Sequence, residues 1–238
     1  MWINKVKYEK PDLIVFDLDN TLYEYESCNK AGEFAFSIFT AETFGIPQKL
    51  VMKQLRTARR NVKARVSGAS SHERILYFAE FLAIRNMVND PKFLLEAESH
   101  YWSNYFSQMQ LAPFCRELLT KARLNGITVA LVTNLTANIQ YRKLIHLDID
   151  SFFDVIVTSQ ETNGEKETCE PFTLLSERLE RRIKLDHAWF VGDANSDFPN
   201  SFDAVSKVFF LSPYAKKSSI SVNAVKLQSY RKLIGLLD

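Results

Sequence analysis

The sequence predicts an α/β fold in which a parallel sheet carries a small inserted α-helical domain. Leu13 to Phe16 is a short run of β-branched and aromatic residues, typical of a strand that is buried on both faces. From Pro113 onwards, strand and helix patterns alternate, which indicates a parallel sheet. Between these parts, residues 23–110 form long amphipathic segments with almost no strand pattern.

The inserted segment is predicted to contain four helices. Gly45 and Pro47 separate the first helix from the second. The serine-rich turn at 67–71 is expected to supply a serine N-cap to the third helix. Pro91 is expected at the first position of the fourth helix.

The second half of the chain is predicted to build most of the sheet. The predicted elements are a helix at 113–124, a strand at 127–132, a helix at 136–147, a strand at 154–157, a helix at 171–183, strands at 188–191 and 207–211, and a helix at 230–237. The simplest organisation is therefore a discontinuous core domain with a helical cap domain between its two parts. The core domain would comprise residues 1–22 and 111–238, and the cap residues 23–110.

Composition and charge favour an ordinary globular protein. The chain has 238 residues, of which 46% are hydrophobic and 24% charged. The chain has 30 basic and 28 acidic residues, so its net charge is only +2. No overall positive electrostatic field therefore indicates nucleic acid or an anionic membrane as a partner. We expect a cytoplasmic location, since charged residues rather than a long apolar run follow the first residues. Three widely spaced cysteines predict neither a disulfide nor a zinc site.

Polar side chains collect where three predicted strands end. Asp17, Asp19 and Thr21 follow the first strand, Thr133 and Asn134 stand at the end of the second, and Asp193 and Asp197 follow a third. Because ligands bind at the carboxyl ends of parallel strands, these residues are expected to share one crevice. Carboxylates from two strands would repel each other unless they shared a hard cation, and such oxygen ligands suit magnesium.

The acidic clusters have two other interpretations. An EF-hand calcium loop requires Gly at its sixth position and Glu at its twelfth, but counting from Asp17 these places hold Leu22 and Cys28. Counting from Asp193, they hold Phe198 and Ala204. A solvated turn would explain either cluster alone, but it does not explain why both occur at strand ends.

These motifs resemble those of the haloacid dehalogenase-like (HAD) superfamily of hydrolases, and the likeness covers the whole core. The string Phe-Asp-Leu-Asp-Asn-Thr-Leu-Tyr, which begins at Phe16, is similar to the first motif of that family. Thr133 matches the second motif, and Asp193 with Asp197 matches the fourth. The long helical insertion is similar to the cap of one family subclass.

The third motif departs from the family pattern. Lys166 keeps its place relative to Phe172 and the following helix, but Glu167 stands where the family often has proline. The resemblance implies that Lys166 is a catalytic, phosphate-binding lysine. The alternatives are a mobile loop and a solvated lysine.

The resemblance also implies roles for the acidic residues. Asp17 would be the nucleophile that forms an aspartyl-phosphate, and it would be a magnesium ligand. Asp19 would act as general acid and base, with its backbone carbonyl also on the metal. Asp193 would complete the protein ligands, and Asp197 would act through a bound water or as a neighbour of the ligands. Thr21 is expected to orient the Asp loop.

The phosphoryl group and the rest of the substrate would be held by other side chains. Thr133, the backbone amide of Asn134 and Lys166 would bind the phosphoryl oxygens. In the cap, His72 and Arg74 are the preferred candidates for substrate contact. The basic residues Arg56, Arg59, Arg60 and Arg65 fit a solvated helix face better than a polyanion patch.

The predicted function is that of a magnesium-dependent phosphatase acting on a small phosphorylated metabolite of the sugar phosphate or nucleotide class. Asp19 separates this function from dehalogenation, because a halide leaves without needing a proton. Two alternatives stay open: a phosphomutase of the same family, and a non-catalytic phosphate-binding or regulatory protein in which the Glu167 loop no longer supports turnover.

Overall fold

The computed structural model describes residues 8–179, 186–199, 202–204, 206–216 and 223–238. In these ranges the strands form one parallel sheet of six, in the order β3-β2-β1-β4-β5-β6. The strands are β1 (Leu13–Phe16), β2 (Thr128–Thr133), β3 (Val155–Thr158), β4 (His187–Gly192), β5 (Ser206–Leu211) and β6 (Val225–Lys226). The predicted α/β fold with a Rossmann-like sheet is confirmed.

Strand β1 lies in the middle of the sheet, between β2 and β4. Phe16, its last residue, pairs with Leu131 of β2 and with Val191 of β4. The backbone N–H of Asp17 continues the ladder by donating to the Val191 carbonyl at 2.9 Å. The carboxyl ends of β1, β2 and β4 therefore lie side by side, which brings the three polar clusters together.

Eight helices surround the sheet or belong to the insertion. They are α1 (Tyr25–Phe44), α2 (Gln48–Arg65), α3 (Arg74–Ile84), α4 (Pro91–Ser107), α5 (Cys115–Leu124), α6 (Ala137–His146), α7 (Glu170–Leu179) and α8 (Arg231–Leu236), within the ranges given above. Four of them, α1 to α4, lie in the predicted helical segment. None of the described helices is long and apolar enough to span a bilayer.

The predicted serine N-cap of the third helix is wrong. Ser70 and Ser71 lie in a short 3-10 turn, and α3 begins after Glu73, whose side chain makes no capping hydrogen bond. The hydroxyl of Tyr77 in α3 donates to the backbone carbonyl of Ser71 at 2.6 Å. The contact between this turn and α3 therefore uses the backbone of Ser71 and not its hydroxyl. The predicted start of α4 is confirmed, because Asp90 accepts from the Lys92 N–H at 2.9 Å.

One further element differs from the sequence prediction, and another is described only in part. Strand β6 was not predicted, because two residues are too short to show an alternating pattern. Helix α7 is described as far as Leu179, and the rest of the predicted helix, residues 180–183, lies outside the described residues.

The hydrophobic core has one part on each face of the sheet. Side chains of β1 alternate between them: Ile14 and Phe16 join the larger cluster, and Leu13 and Val15 the smaller one beside α7. The larger cluster continues into the inserted helices, where Phe36 of α1 stacks on a ring of α3. The inserted helices are therefore packed on the same apolar cluster that covers one face of the sheet.

The two ends of the insertion meet beside the sheet. Tyr23 forms an isolated antiparallel bridge with Leu111, and the Ala112 N–H donates to the Leu22 carbonyl at 2.8 Å. The chain thus leaves the sheet and returns to it at one point. The division into a core and a cap domain at residues 22 and 111 stays a prediction.

Candidate active site

One cavity of about 260 Å³ lies at the carboxyl ends of the central strands. It is lined by nine residues that the sequence predicted for the site, namely Asp17, Asp19, His72, Arg74, Thr133, Asn134, Lys166, Asp193 and Asp197, whereas Thr21 is fully buried and does not line it. The structure therefore brings together residues that are as much as 180 positions apart in the chain. Their individual roles stay predictions.

Asp17 is buried and held from two sides. Lys166 Nζ lies 2.6 Å from Asp17 Oδ1, and Thr21 Oγ1 donates to Asp17 Oδ2 at 2.9 Å. Lys166 also donates to the buried carboxylate of Asp197. Burial alone would lower the pKa of Lys166, but the two carboxylates outweigh it and raise this pKa above its usual range. The lysine is therefore a fixed positive charge beside Asp17.

The loop that carries Lys166 is anchored to the end of β2. The Lys166 N–H donates to Asn134 Oδ1 at 3.0 Å, and Asn134 Nδ2 donates to Glu167 at 3.4 Å. Glu167 is exposed, so the residue that stands in place of the family's proline lies at the surface of the loop. The substitution does not displace Lys166 from the cavity.

Asp17, Asp193 and Asp197 form a compact acidic cluster. Each offers one carboxylate oxygen, and these atoms lie within 4.8 Å of one another. Burial, and then the charge of Asp197, raise the pKa of Asp193 to about 6. Carboxylates crowded in this way fit a divalent cation, which would relieve their repulsion.

Asp197 and Asp19 differ from Asp193 in their surroundings. Asp197 Oδ2 accepts from the N–H groups of Asp193 and Ala194, both at 2.8 Å, while its other oxygen faces Lys166. Both of its oxygens therefore have donors within the protein, and its supporting role stays a prediction. The carboxylate of Asp19 does not belong to the described cluster, which leaves its backbone carbonyl as the predicted metal contact.

Asp19 is instead held by Lys143, which sequence reasoning missed. Lys143 Nζ lies 2.7 Å from Asp19 Oδ1 and 3.0 Å from Oδ2. Tyr23 also donates to Asp19 Oδ1, and its hydroxyl lies 2.5 Å from that of Tyr105. A signal existed in the helical pattern, because Lys143 stands four residues after Ile139, on the apolar face of α6.

Gln140 is a second residue that the sequence did not single out. Its Nε2 lies 2.5 Å from Thr133 Oγ1 and 2.9 Å from the Asn134 carbonyl. It is fully buried on the same face of α6 as Lys143. Helix α6 therefore fixes the end of β2 as well as Asp19.

The insertion contributes a buried cation to the cavity wall. The Arg74 guanidinium donates to the hydroxyls of Tyr101 and Tyr25, both at 2.9 Å, and to the His72 carbonyl at 2.6 Å. These partners are all neutral. His72 itself lies 2.9 Å from Glu165. Arg74 and Arg59 also line an adjoining cavity of about 360 Å³ within the inserted helices.

Comparison with known proteins identifies the family of this chain. The model of the haloacid dehalogenase-like hydrolase family matches residues 14–210, and the chain belongs to that family. The resemblance predicted from the motifs is thereby confirmed. Phosphatases of this family generally use a divalent metal ion, and the acidic cluster is where this chain would hold one.

Two curated proteins are similar along most of the chain. A ribulose-1,5-bisphosphate 5-phosphatase of Halopiger xanaduensis is 38% identical over 183 residues, which is 76% of this chain and 75% of the relative. A glyceraldehyde 3-phosphate phosphatase of Methanopyrus kandleri is 29% identical over 181 residues, which is 76% of this chain and 74% of the relative.

Solved structures share the fold at lower identity. A HAD phosphatase from Thermococcus onnurineus has a TM-score of 0.65 at 18% identity and covers 94% of this chain and 97% of its own. CbbY from Rhodobacter sphaeroides, in complex with phosphate, has a TM-score of 0.60 at 18% identity and covers 94% and 96%. At these identities the likeness concerns the fold alone.

Proposed function

We propose that this chain hydrolyses a small phosphorylated sugar in a magnesium-dependent reaction that passes through an aspartyl-phosphate on Asp17. The class of enzyme, a phosphatase hydrolase of the HAD family, is supported by the family match and by the names of both curated relatives. The observation that carries the proposal is the placement of Asp17 beside Lys166, with Asp19 in the same cavity.

In the first step, an oxygen of Asp17 would attack phosphorus while the bond to the sugar oxygen breaks. Thr21 and Lys166 each bind one oxygen of this carboxylate, which restricts its orientation before substrate arrives. Thr133, the Asn134 amide and Lys166 would bind the phosphoryl oxygens and offset the charge that develops on them.

Asp19 would move the protons. In the first step its carboxyl group would protonate the leaving oxygen, and in the second it would take a proton from the water that attacks the aspartyl-phosphate. Its side chain is 23% exposed, so it can be reached from the cavity although Lys143 and Tyr23 bind it from behind.

Asp17, Asp193 and the Asp19 carbonyl would hold the Mg²⁺ ion, with Asp197 supporting them. A divalent ion at this place supplies positive charge that brings an anionic nucleophile and an anionic phosphoryl group together. The pKa of Asp193, which burial raises first and the charge of Asp197 second, supports this assignment, because a bound cation would favour the ionised carboxylate.

The sugar phosphate class is favoured over the nucleotide class by the two relatives, which are named for a pentulose bisphosphate and a triose phosphate. We assign the contact with the leaving group to His72 and Arg74, because both line the cavity from the insertion. Arg74 supports an anionic or strongly polar leaving group, since its own partners are neutral. Such a substrate implies action in the cytoplasm.

Phosphate release from a panel of sugar phosphates and nucleotides, with Mg²⁺ or with EDTA, tests this proposal. We expect release that requires Mg²⁺, favours a phosphorylated sugar and falls at least about a thousandfold in Asp17→Asn. Asp150→Asn, at an exposed position outside the cavity, is the matched control. Turnover that survives in Asp17→Asn would remove Asp17 from its role. An isomerised product would indicate a phosphomutase, and binding without turnover a regulatory protein.

A further inference from the structure

Lys143 is a buried lysine whose ammonium group contacts a single carboxylate among the described residues. Its side chain has no solvent exposure, and its Nζ lies within hydrogen-bond distance of both oxygens of Asp19. It also lies over the rings of Tyr23 and Tyr105, at 5.7 and 5.5 Å from their centroids. Residues 19 and 143 are 124 positions apart, so this pair depends on how α6 docks against the sheet.

Stability alone does not account for this pair. Removing an ammonium group and a carboxylate from water is costly, and a buried ion pair is often no more stabilising than apolar side chains of similar volume. The surroundings of Lys143 are aromatic and apolar, so a methionine could occupy the same space. The charge must therefore be explained by what it does to Asp19.

The contacts leave one part of the Asp19 carboxylate open. Oδ1 accepts from both Lys143 and Tyr23, whereas Lys143 is the described donor to Oδ2, at the longer distance of 3.0 Å. The residue also lines the cavity. Two donors thus hold the carboxylate from the protein side, while Oδ2 retains room for a further hydrogen bond.

We infer that Lys143 is a positioning residue that fixes Asp19 for proton transfer to the leaving oxygen. This inference rests on the proposed phosphatase function. Lys143 keeps its three protons throughout the cycle. The O–H bond that breaks in the first step is that of the Asp19 carboxyl group, and the O–H bond that forms is on the leaving alcohol. In the second step Asp19 takes a proton from the attacking water, which restores its carboxyl group.

A positioning role for Lys143 predicts an effect that depends on the leaving group. A sugar alkoxide needs a proton in order to leave, whereas the anion of an acidic phenol does not, and a well-placed general acid contributes about 10²- to 10⁴-fold. Loss of Lys143 should therefore slow poor leaving groups and spare good ones. General damage to the fold or to phosphate binding would slow both alike.

The test compares the unmodified full-length protein with the Lys143→Met variant. For each, kcat/KM is measured with Mg²⁺ on phenyl phosphate and on 2,4-dinitrophenyl phosphate. We expect a fall of at least about tenfold for phenyl phosphate and less than about threefold for the dinitrophenyl ester. Inhibition by inorganic phosphate should change less than about twofold, because Lys143 does not contact the phosphoryl site. Asp19→Asn should show the same dependence on the leaving group.

Two further variants complete the test. Lys30→Met, at an exposed position on α1, is the matched control and should leave kcat/KM for both esters unchanged. Lys143→Arg, which keeps the positive charge, should recover part of the phenyl phosphate activity and covers the case in which Lys143→Met fails to fold. Equal losses for both esters, or no loss for either, would overturn the inference. If the unmodified protein releases no phosphate from these esters or from the sugar phosphate panel, the proposed function fails, and that result is separate from any effect of Lys143.

Discussion

Lys166 is the single residue on which the charge balance of the site depends most. Its ammonium group contacts two buried carboxylates, those of Asp17 and Asp197, and a third belongs to the same cluster. Removing one partner of a buried ion pair leaves the other charge without compensation, which costs far more than the pair contributes. We therefore expect this lysine to support the fold around β1 and, in the proposed function, the reaction as well.

We predict that Lys166→Met lowers kcat at least about a hundredfold and destabilises the metal-free protein by about 3–5 kcal/mol. Urea denaturation in EDTA and then with Mg²⁺ checks this, and Mg²⁺ should stabilise the variant more than the unmodified protein. Lys30→Met, which removes only an exposed pair with Glu26 at 3.6 Å, should change stability by less than about 1 kcal/mol. A variant as stable as the unmodified protein in EDTA would contradict this interpretation.

At the residue scale, the sequence predicted those site residues that directly follow a buried strand. Asp17 and Asp193 were predictable because they follow buried strands, and the parallel sheet then brings the strand ends together. Lys166 was placed by its spacing from Phe172. Lys143 was not predicted, because a lysine on a helix is ordinarily solvated and only the docking of α6 shows its partner.

Among the elements, α1 and α4 approach each other closely beside the cavity. A Cβ at Gly32 of α1 would lie 2.7 Å from the Tyr101 ring of α4, which leaves no room for a side chain. Tyr101 in turn accepts from Arg74 and donates to Asn29 at 2.8 Å. The glycine thus permits a contact on which the placement of Arg74 depends.

Gly32→Ala should destabilise the protein by about 1–3 kcal/mol, because the added methyl group overpacks a filled site. Urea denaturation measures this, and kcat/KM for the sugar phosphate should fall as Tyr101 and Arg74 move. Gly235→Ala is the matched control, since Gly235 lies in α8 with open space around its Cβ position and should be neutral or slightly stabilised. Equal stability of the two variants would count against this packing.

Element boundaries followed the sequence where the signal was local and strong. Buried runs identified β1, β2 and β4, and Asp90 with Pro91 identified the start of α4. The serine-rich turn did not predict the start of α3, because Ser70 and Ser71 form a separate 3-10 turn and the residue before the helix is Glu73, which makes no side-chain cap. Strand β6 is formed by pairing with β5, a long-range contact without a local pattern.

On the scale of the whole molecule, the site is assembled from three sequence regions that meet only in the folded chain. The sheet supplies Asp17, Asp193 and the loop with Lys166, and the inserted helices supply Arg74 to the opposite wall. The insertion begins and ends beside Tyr23, a few residues after β1, and His72 and Arg74 reach the cavity from it. In the proposed function, residues at the carboxyl ends of the strands transfer the phosphoryl group, and residues of the insertion select the alcohol that leaves.

The alternatives from the sequence differ in what happens to the phosphoryl group on the enzyme. A phosphatase passes it to water, a phosphomutase returns it to a sugar, and a binding protein never takes it up. The covalent intermediate on Asp17 is thus the central claim, and it separates catalysis from binding.

The most direct test of that claim is to trap the intermediate. The full-length protein is mixed with Mg²⁺ and a phosphate ester that it hydrolyses, and the reaction is quenched in acid. The protein is then reduced with borohydride and digested, and the peptide that contains position 17 is analysed by mass spectrometry. Borohydride converts an acyl-phosphate aspartate to homoserine, so this account predicts homoserine at position 17 and at no other aspartate, and none without Mg²⁺. Phosphate release without reduction at position 17, or with reduction at a different residue, would contradict it.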